Sequence, residues 1–303
     1  MGGGGGTPRL PRVPGATLEG HDGPVLAVRF NSDGSYCLTC GKDRTLRLWN
    51  PHRGIAVKTY SGHGYEVRDV DVTRDNSKLA SCGGDKQVFL WDVASGRTIR
   101  KFRGHDSTVN AARFAAEGAV LITGGYDRAV KIWDCRSQGI DAIQSVVAFR
   151  DSVTSLAVCG HRIHAGSVDG TVRVFDVRFG RVTTDELHHP VTSLQLSGDG
   201  NCVLAGCLDG RLRMLDREGG ELLAEYQGHA NTSAKLECAF TADEAYVLSG
   251  SEDGKVYFWD LVDAEMVGSV HAHSKVTCGL AYHPTECCMI TCSVDGTARV
   301  WTD

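Results

Sequence analysis

The sequence predicts an all-β ring, a propeller of seven four-stranded blades closed by an N-terminal strand, and three observations lead there. First, Trp49, Trp91, Trp133, Phe175, Leu215, Trp259 and Trp301 recur at intervals of 42, 42, 42, 40, 44 and 42 residues, a period that belongs to propeller blades. Second, an acid stands six residues before each of them: Asp43, Asp85, Asp127, Asp169, Asp209, Asp253 and Asp295. Third, short β-rich runs such as Val25–Phe30, Tyr36–Cys40, Thr45–Asn50 and Ile55–Tyr60 fill the spaces, separated by Gly, Asp and Asn turn signals. Each repeat therefore supplies four strands.

The elements follow in chain order. Residues 1–11, a poly-Gly lead ending in Thr7, Pro8 and Arg9, cannot pack a core and are expected to be a flexible tail. Gly2 invites N-myristoylation, but that motif wants Ser or Thr at position six, where Gly6 stands. Residues 12–303 form the propeller. Only Thr302 and Asp303 follow Trp301, which leaves the seventh blade without an outer strand. The run 13–18, ending Thr17-Leu18-Glu19-Gly20-His21, matches outer-strand endings such as Thr59-Tyr60-Ser61-Gly62-His63 and is expected to complete that blade and remove an open sheet edge. Inner-strand residues are apolar at i, i+3 and i+5, as in Val25/Val28/Phe30, Val67/Val70/Val72, Val109/Ala112/Phe114, Val153/Leu156/Val158 and Val191/Leu194/Leu196. The extra residue breaks the period of two and predicts a β-bulge in each inner strand.

Composition narrows the function. A net charge of −5 with no run of like charges argues against a phosphate-binding surface for nucleic acid, so protein partners are expected. No stretch reaches the roughly 18 apolar residues of a membrane span and no signal-peptide core opens the chain. An intracellular protein is expected, with its 12 cysteines reduced. Cys37 and Cys40 have CxxC spacing, but Cys40, Cys82 and Cys292 share one place in the repeat, three residues before the Asp, which points to buried strand residues. No metal or cofactor is expected.

Gly20-His21, Gly62-His63, Gly104-His105, Gly228-His229 and the variant Ala272-His273 open repeats, and Trp-Asp dipeptides stand at 91–92, 133–134 and 259–260. These residues resemble the WD-repeat family over about residues 12–303. That resemblance implies polar sets linking His, a hydroxyl, Asp and Trp: His21/Thr39/Asp43/Trp49, His63/Ser81/Asp85/Trp91, His105/Thr123/Asp127/Trp133, His229/Ser249/Asp253/Trp259 and His273/Thr291/Asp295/Trp301. Ser, His and Asp together suggest a hydrolase, yet a nucleophile is needed once, beside an oxyanion hole, and this set recurs in five repeats. Structure, not catalysis, is the reading. Repeats four and five carry Ala165 and Ala205 at the hydroxyl position and are expected to be looser.

The face bearing the His and Asp turns is the partner-binding surface in proteins this sequence resembles, and position by position its contacts fall on Lys42, Glu66, Arg68, Asn110, Tyr126, Thr154, Glu252 and Lys275. Tyr and Arg are residue types favoured as interface hot spots. Longer stretches, Tyr36–Gly41 (YCLTCG), Leu90–Gly96 (LWDVASG), Arg100–His105 (RKFRGH), Ser251–Val262 (SEDGKVYFWDLV) and Leu280–Glu286 (LAYHPTE), are similar to the mitogen-activated protein kinase organizer family. This implies a non-enzymatic scaffold in kinase-cascade assembly, pre-mRNA splicing complexes or both, in cytoplasm and nucleus, acting as a monomer within larger assemblies. The poly-Gly start departs from that family. An alternative comes from Trp133-Asp134-Cys135-Arg136, a WDxR box echoed by Phe175-Asp176-Val177-Arg178. Such boxes mark substrate receptors of cullin ubiquitin ligases, where Arg136 and Arg178 would pair with an adaptor's acidic groups.

Overall fold

The computed structural model describes residues 9–303. Residues 1–8, most of the expected tail and the whole of the myristoylation site considered above, lie outside the described residues. The rest forms seven four-stranded antiparallel sheets, six of them built in sequence order from an inner to an outer strand. Blade one comprises Val25–Phe30, Cys37–Gly41, Thr45–Asn50 and Ile55–Ser61. Blades two to six open with the inner strands Val67–Val72, Val109–Ala115, Val153–Cys159, Val191–Leu196 and Cys238–Phe240. Blade seven draws its outer strand from the other end of the chain, with Val13–Leu18 pairing antiparallel to Ala298–Thr302. The closure expected from the sequence is the closure seen.

Each apolar cluster lies between neighbouring blades, because each sheet is covered on both faces by the next. Ala27, Leu46, Val67, Phe89 and Trp91 join blades one and two. Leu18, Val25, Trp49, Ile290 and Val300 seal the junction of blades seven and one, so the N-terminal strand adds core as well as hydrogen bonds. Leu10, placed in the tail by sequence, is buried with Phe258, Leu280 and Trp301 between blades six and seven. An apolar side chain that finds a formed groove stays ordered despite glycines before it.

The predicted bulges are present. Register shifts fall between Val25 and Ala27, Val67 and Asp69, Val109 and Ala111, Val153 and Ser155, and Val191 and Ser193, and blade seven adds one between Thr277 and Gly279. Blade six is the exception. Its inner strand is only three residues long, and residues 230–237 run into it as a loop. All twelve cysteines are free thiols, and Cys40, Cys82 and Cys292 are buried strand residues.

Candidate protein-binding face

Turns between second and third strands define one face of the ring. In every blade the repeated Asp accepts from the backbone N–H two residues on, as in Asp43 with Thr45 (3.1 Å), Asp169 with Thr171 (3.0 Å), Asp209 with Arg211 (3.3 Å) and Asp295 with Thr297 (2.9 Å). This side-chain-to-backbone turn explains why the acid is present seven times although the histidine is not. The residue after the Asp always has positive φ: Arg44, Lys86 and Arg128 in blades one to three, and glycine in the other four. At Gly254 a side chain would also run into the His273 carbonyl, so there only glycine fits.

Four of the five expected polar sets form. In blade two, Asp85 lies 2.8 Å from His63 Nδ1, Ser81 Oγ lies 2.7 Å from His63 Nε2, and Trp91 Nε1 donates to Ser81 Oγ at 2.8 Å. With Nδ1–H donating to the carboxylate, Nε2 must accept, so the hydroxyl donates to the ring and accepts from the indole. Every proton is used. Threonine takes the place of Ser81 in the other three sets. Thr39 Oγ1 lies 2.7 Å from His21 Nε2 and accepts from Trp49 Nε1 at 2.8 Å. Thr123 Oγ1 lies 2.7 Å from His105 Nε2 and accepts from Trp133 at 2.8 Å, and Thr291 Oγ1 lies 2.8 Å from His273 Nε2 and accepts from Trp301 at 3.0 Å. Asp43, Asp127 and Asp295 complete these sets at the histidine Nδ1.

Thr39, Thr123 and Thr291 are fully buried, as is Ser81, and the donor and acceptor roles of each hydroxyl are taken within its own blade. Their place is therefore in the frame of the turn and not on the surface offered to a partner. Burial pushes the Asp85 carboxyl up, but the His63 hydrogen bond and charge, with the amides of Gly64 and Gln87, outweigh it and hold the group below the ordinary carboxylate range.

The set at His229, Ser249, Asp253 and Trp259 does not form, contrary to expectation. Trp259 Nε1 donates to the Gln227 carbonyl, Ser249 Oγ to the Gly250 carbonyl, and Tyr257 donates to Asp253 at 2.8 Å. Both His229 nitrogens are buried without partners, and burial pushes its pKa down to about 4. The cause is the longer loop. His229 precedes Asp253 by 24 residues, against 22 in the formed sets. Glu252 captures that loop, accepting from the amides of Thr232, Ser233 and Ala234. Burial would raise the Glu252 carboxyl, but those amides bring it down to about 2.

Blades four and five replace the set rather than lose it. Phe149 and Leu187 stand four residues before Val153 and Val191, as His105 stands before Val109, and sequence reading passed over both. In blade four, Phe149 meets Phe175 edge-on at 6.2 Å, with Ala165 in the same cluster. In blade five, Leu187 packs with Ala205 and Leu215. Removing all the polar partners together leaves none unsatisfied, a nearly neutral exchange.

The expected contact residues divide. Lys42, Arg68, Tyr126 and Lys275 are exposed on the turn face, as is Tyr65, which sequence reading did not name; Tyr65 and Tyr126 are each 63% exposed. Glu66 is half-buried and accepts from Arg68, which also donates to Asn110 Oδ1 at 3.1 Å. The side chains of three others are spent internally. Asn110 is buried and donates to the Val153 carbonyl, Thr154 donates to the Val191 carbonyl at 2.6 Å, and Glu252 organises its loop. Each couples adjacent blades or fixes a loop, which is why these polar residues survive near the ring's axis.

The opposite face carries Arg136 and Arg178, with side chains 74% and 51% exposed, each beside its own WD-box acid, Asp134 at 3.6 Å and Asp176 at 3.3 Å. His52, His283 and Glu286 are the one grouping of potential metal ligands among the described residues. His283 Nδ1 already accepts from the amides of Thr285 (3.2 Å) and Glu286 (2.9 Å), so the ring serves its own turn and the trio fits an ion poorly. No helix of the described residues is long and apolar enough to cross a membrane.

The WD domain, G-beta repeat model matches residues 12–50, 220–260 and 264–302, and the model for the nucleolar protein 10-like N-terminal domain matches 64–237. Among relatives, WD repeat domain-containing protein 83 of Rattus norvegicus is 51% identical over 98% of this chain and 94% of that protein. Its Xenopus tropicalis counterpart is 55% identical over 97% and 93%, and the Dictyostelium discoideum homolog 32% identical over 94% and 96%. WD-repeat propellers of this kind are protein-interaction scaffolds and typically not enzymes. With this identity over nearly the whole chain, it belongs to the WD repeat domain-containing protein 83 family, the mitogen-activated protein kinase organizers that its sequence resembles.

Proposed function

We propose that the protein is a non-enzymatic scaffold that gathers partners on its turn face, serving kinase-cascade assembly, pre-mRNA splicing complexes or both. One observation carries this reading: Tyr65 and Tyr126 stand exposed on turns, and Arg68 at the head of an inner strand, in blades two and three, where buried polar sets hold the turns in place. Preorganised aromatic and guanidinium groups lose little freedom on binding. Lys42 and Lys275 add exposed cations on blades one and seven. A single copy acting as one unit of a larger assembly suits this arrangement. The test is affinity purification of the tagged protein from its own cells, comparing wild type with Arg68→Glu/Tyr126→Ala. Loss of kinase or spliceosomal partners from the variant supports the reading and names the process. Their full retention by a folded variant overturns it.

The exposure of both box arginines favours a second reading, a substrate receptor that docks a ubiquitin-ligase adaptor on the opposite face. A cullin adaptor co-purifying with wild type and lost from Arg136→Ala/Arg178→Ala supports it. Absence of any adaptor from the wild-type purification removes it.

A further inference from the structure

The ring encloses a cavity of about 870 Å3. At its mouth stand Ser32, Arg74, Glu117, His161 and Pro284, all exposed and all in turns between first and second strands, on the face opposite the Asp turns. Towards the turn face the blade-six loop spans the channel. Lys235 Nζ donates to the Asn110 carbonyl of blade three at 3.1 Å, and Glu237 grips Arg29 of blade one at 2.5 and 2.7 Å while accepting from Leu280 N–H of blade seven. These bonds lay a charged floor across the channel on the turn-face side of the cavity.

Its chemistry is lopsided in donors rather than in formal charge. Arg29, Arg74, Arg113 and Lys235 face Asp71, Glu117 and Glu237 across the lining, with Asp69 behind them restoring balance. Two of the inner acids, Asp69 and Glu237, are saturated. Asp69 accepts from Arg29, Arg113 and the amides of Val70 and Ala112, and both Glu237 oxygens are taken. Asp71 accepts from Phe114 N–H, and burial pushes its carboxyl up towards the neutral form. The cations are not saturated. Arg113 commits only Nη1, Lys235 has the single carbonyl as hydrogen-bond partner, and Arg74 stands open at the mouth. On the wall, the Ser155 hydroxyl is buried without a partner.

We propose that this pocket binds a phosphate-bearing group entering from the mouth, with Arg74, Arg113 and Lys235 as donors and Ser155 supplying a hydroxyl. Unspent N–H groups in a partly desolvated site match the several acceptor oxygens of a phosphate, and charge-assisted bonds of this kind are the strong ones. The volume falls in the range of small-ligand sites and exceeds what one water or simple ion needs. Burial pulls the Lys235 ammonium down despite Asp69 and Glu237, and an anion beside it reverses that trend. This site is separate from the turn face and stands or falls independently of the scaffold reading.

Two sources share this chemistry, a free phosphate compound and a phosphorylated segment of a partner protein. Calorimetric titration of the full chain with pyrophosphate, and with a short phosphoserine peptide beside its unphosphorylated twin, separates them. The expected result is saturable binding of at least one phosphate-bearing probe, none of the unphosphorylated peptide, and a loss of about tenfold or more in Arg74→Gln and in Lys235→Met. Arg74 is exposed, so its variant keeps the test readable if Lys235→Met does not fold. Binding of pyrophosphate assigns a free compound and binding of the phosphopeptide alone assigns a partner. No saturable binding of either probe by folded wild type, or binding unchanged in Arg74→Gln, overturns the proposal.

Discussion

Blades one, two, three and seven and blades four and five solve one problem in opposite ways. In the first arc a buried His, hydroxyl, Asp and Trp satisfy one another, and in the second Phe149/Ala165/Phe175 and Leu187/Ala205/Leu215 fill the place of His, hydroxyl and Trp, while Asp209 of blade five pairs with the buried Arg213. Both are complete. Blade six falls between, with the polar residues present but unjoined and His229 left without partners. The comparison teaches that completeness, not polarity, holds a blade. Blade four, expected with blade five to be looser, buries this place less completely: Phe149 and Phe175 are 5% and 8% exposed, where Trp49, Trp91 and Trp133 are at most 1% exposed.

Removing residues 1–20 tests whether either arc stands without ring closure. Loss of the outer strand of blade seven, with Leu10 and Leu18, opens the sheet and uncovers two clusters. We expect it to remove most of the roughly 5–15 kcal/mol available to a folded domain. Intact cooperative thermal melting of the truncation refutes the closure account.

Next in size is the contrast between arcs. Asp85→Ala removes the turn bond and strands His63, so a loss of about 2–3 kcal/mol is expected by denaturant unfolding. Asp169→Ala removes the turn bonds and the bond from the exposed Arg150 amide but strands no histidine, for about 1 kcal/mol. Converting blade two to the blade-four set, His63→Phe/Ser81→Ala/Trp91→Phe, is expected to cost less than Ser81→Ala by itself, which leaves Nε2 and the indole N–H unpaired. Equal losses for the two Asp variants break the comparison.

Two histidines buried without partners, His229 of the incomplete blade six and His164 at a separate position in blade four, carry a pH signature. Burial brings His229 in blade six and His164 in blade four down to about 4, while an unfolded histidine titrates at about 6.5. As pH falls the unfolded chain takes the proton first, so stability is fully present above about 6.5 and is lost progressively towards 4. The loss is at most about 3 kcal/mol for each. His229→Phe is expected to flatten that slope and to be neutral or stabilising at pH 7, as read by thermal melting across pH. An unchanged slope means that His229 is paired in solution.

The smallest effect concerns the turn itself. Lys86 adopts φ of 63° where blades four to seven have glycine. Lys86→Gly relieves that conformation but frees the unfolded chain, so a change within about 1 kcal/mol is expected. A larger loss assigns the Lys86 side chain a role beyond the turn.

Periodicity determined most of the fold by itself. The Asp-to-Trp interval, the inner-strand pattern with its extra residue, and the match of residues 13–18 to outer-strand endings announced seven blades, their bulges and their closure, because every repeat must bury the same two sheet faces. The site was legible in part. Exposed Lys42, Arg68, Tyr126 and Lys275 lie where the repeat places them, yet Asn110, Thr154 and Glu252 occupy equivalent positions and are spent on neighbouring strands and loops. The failure in blade six had a signal in the 44-residue interval and the His229 spacing. Nothing local announced the channel. Arg29, Asp69, Arg113 and the Lys235/Glu237 pair come from segments far apart in the chain, and only ring closure brings them together, because side chains that point inward from different blades meet at the axis and nowhere else.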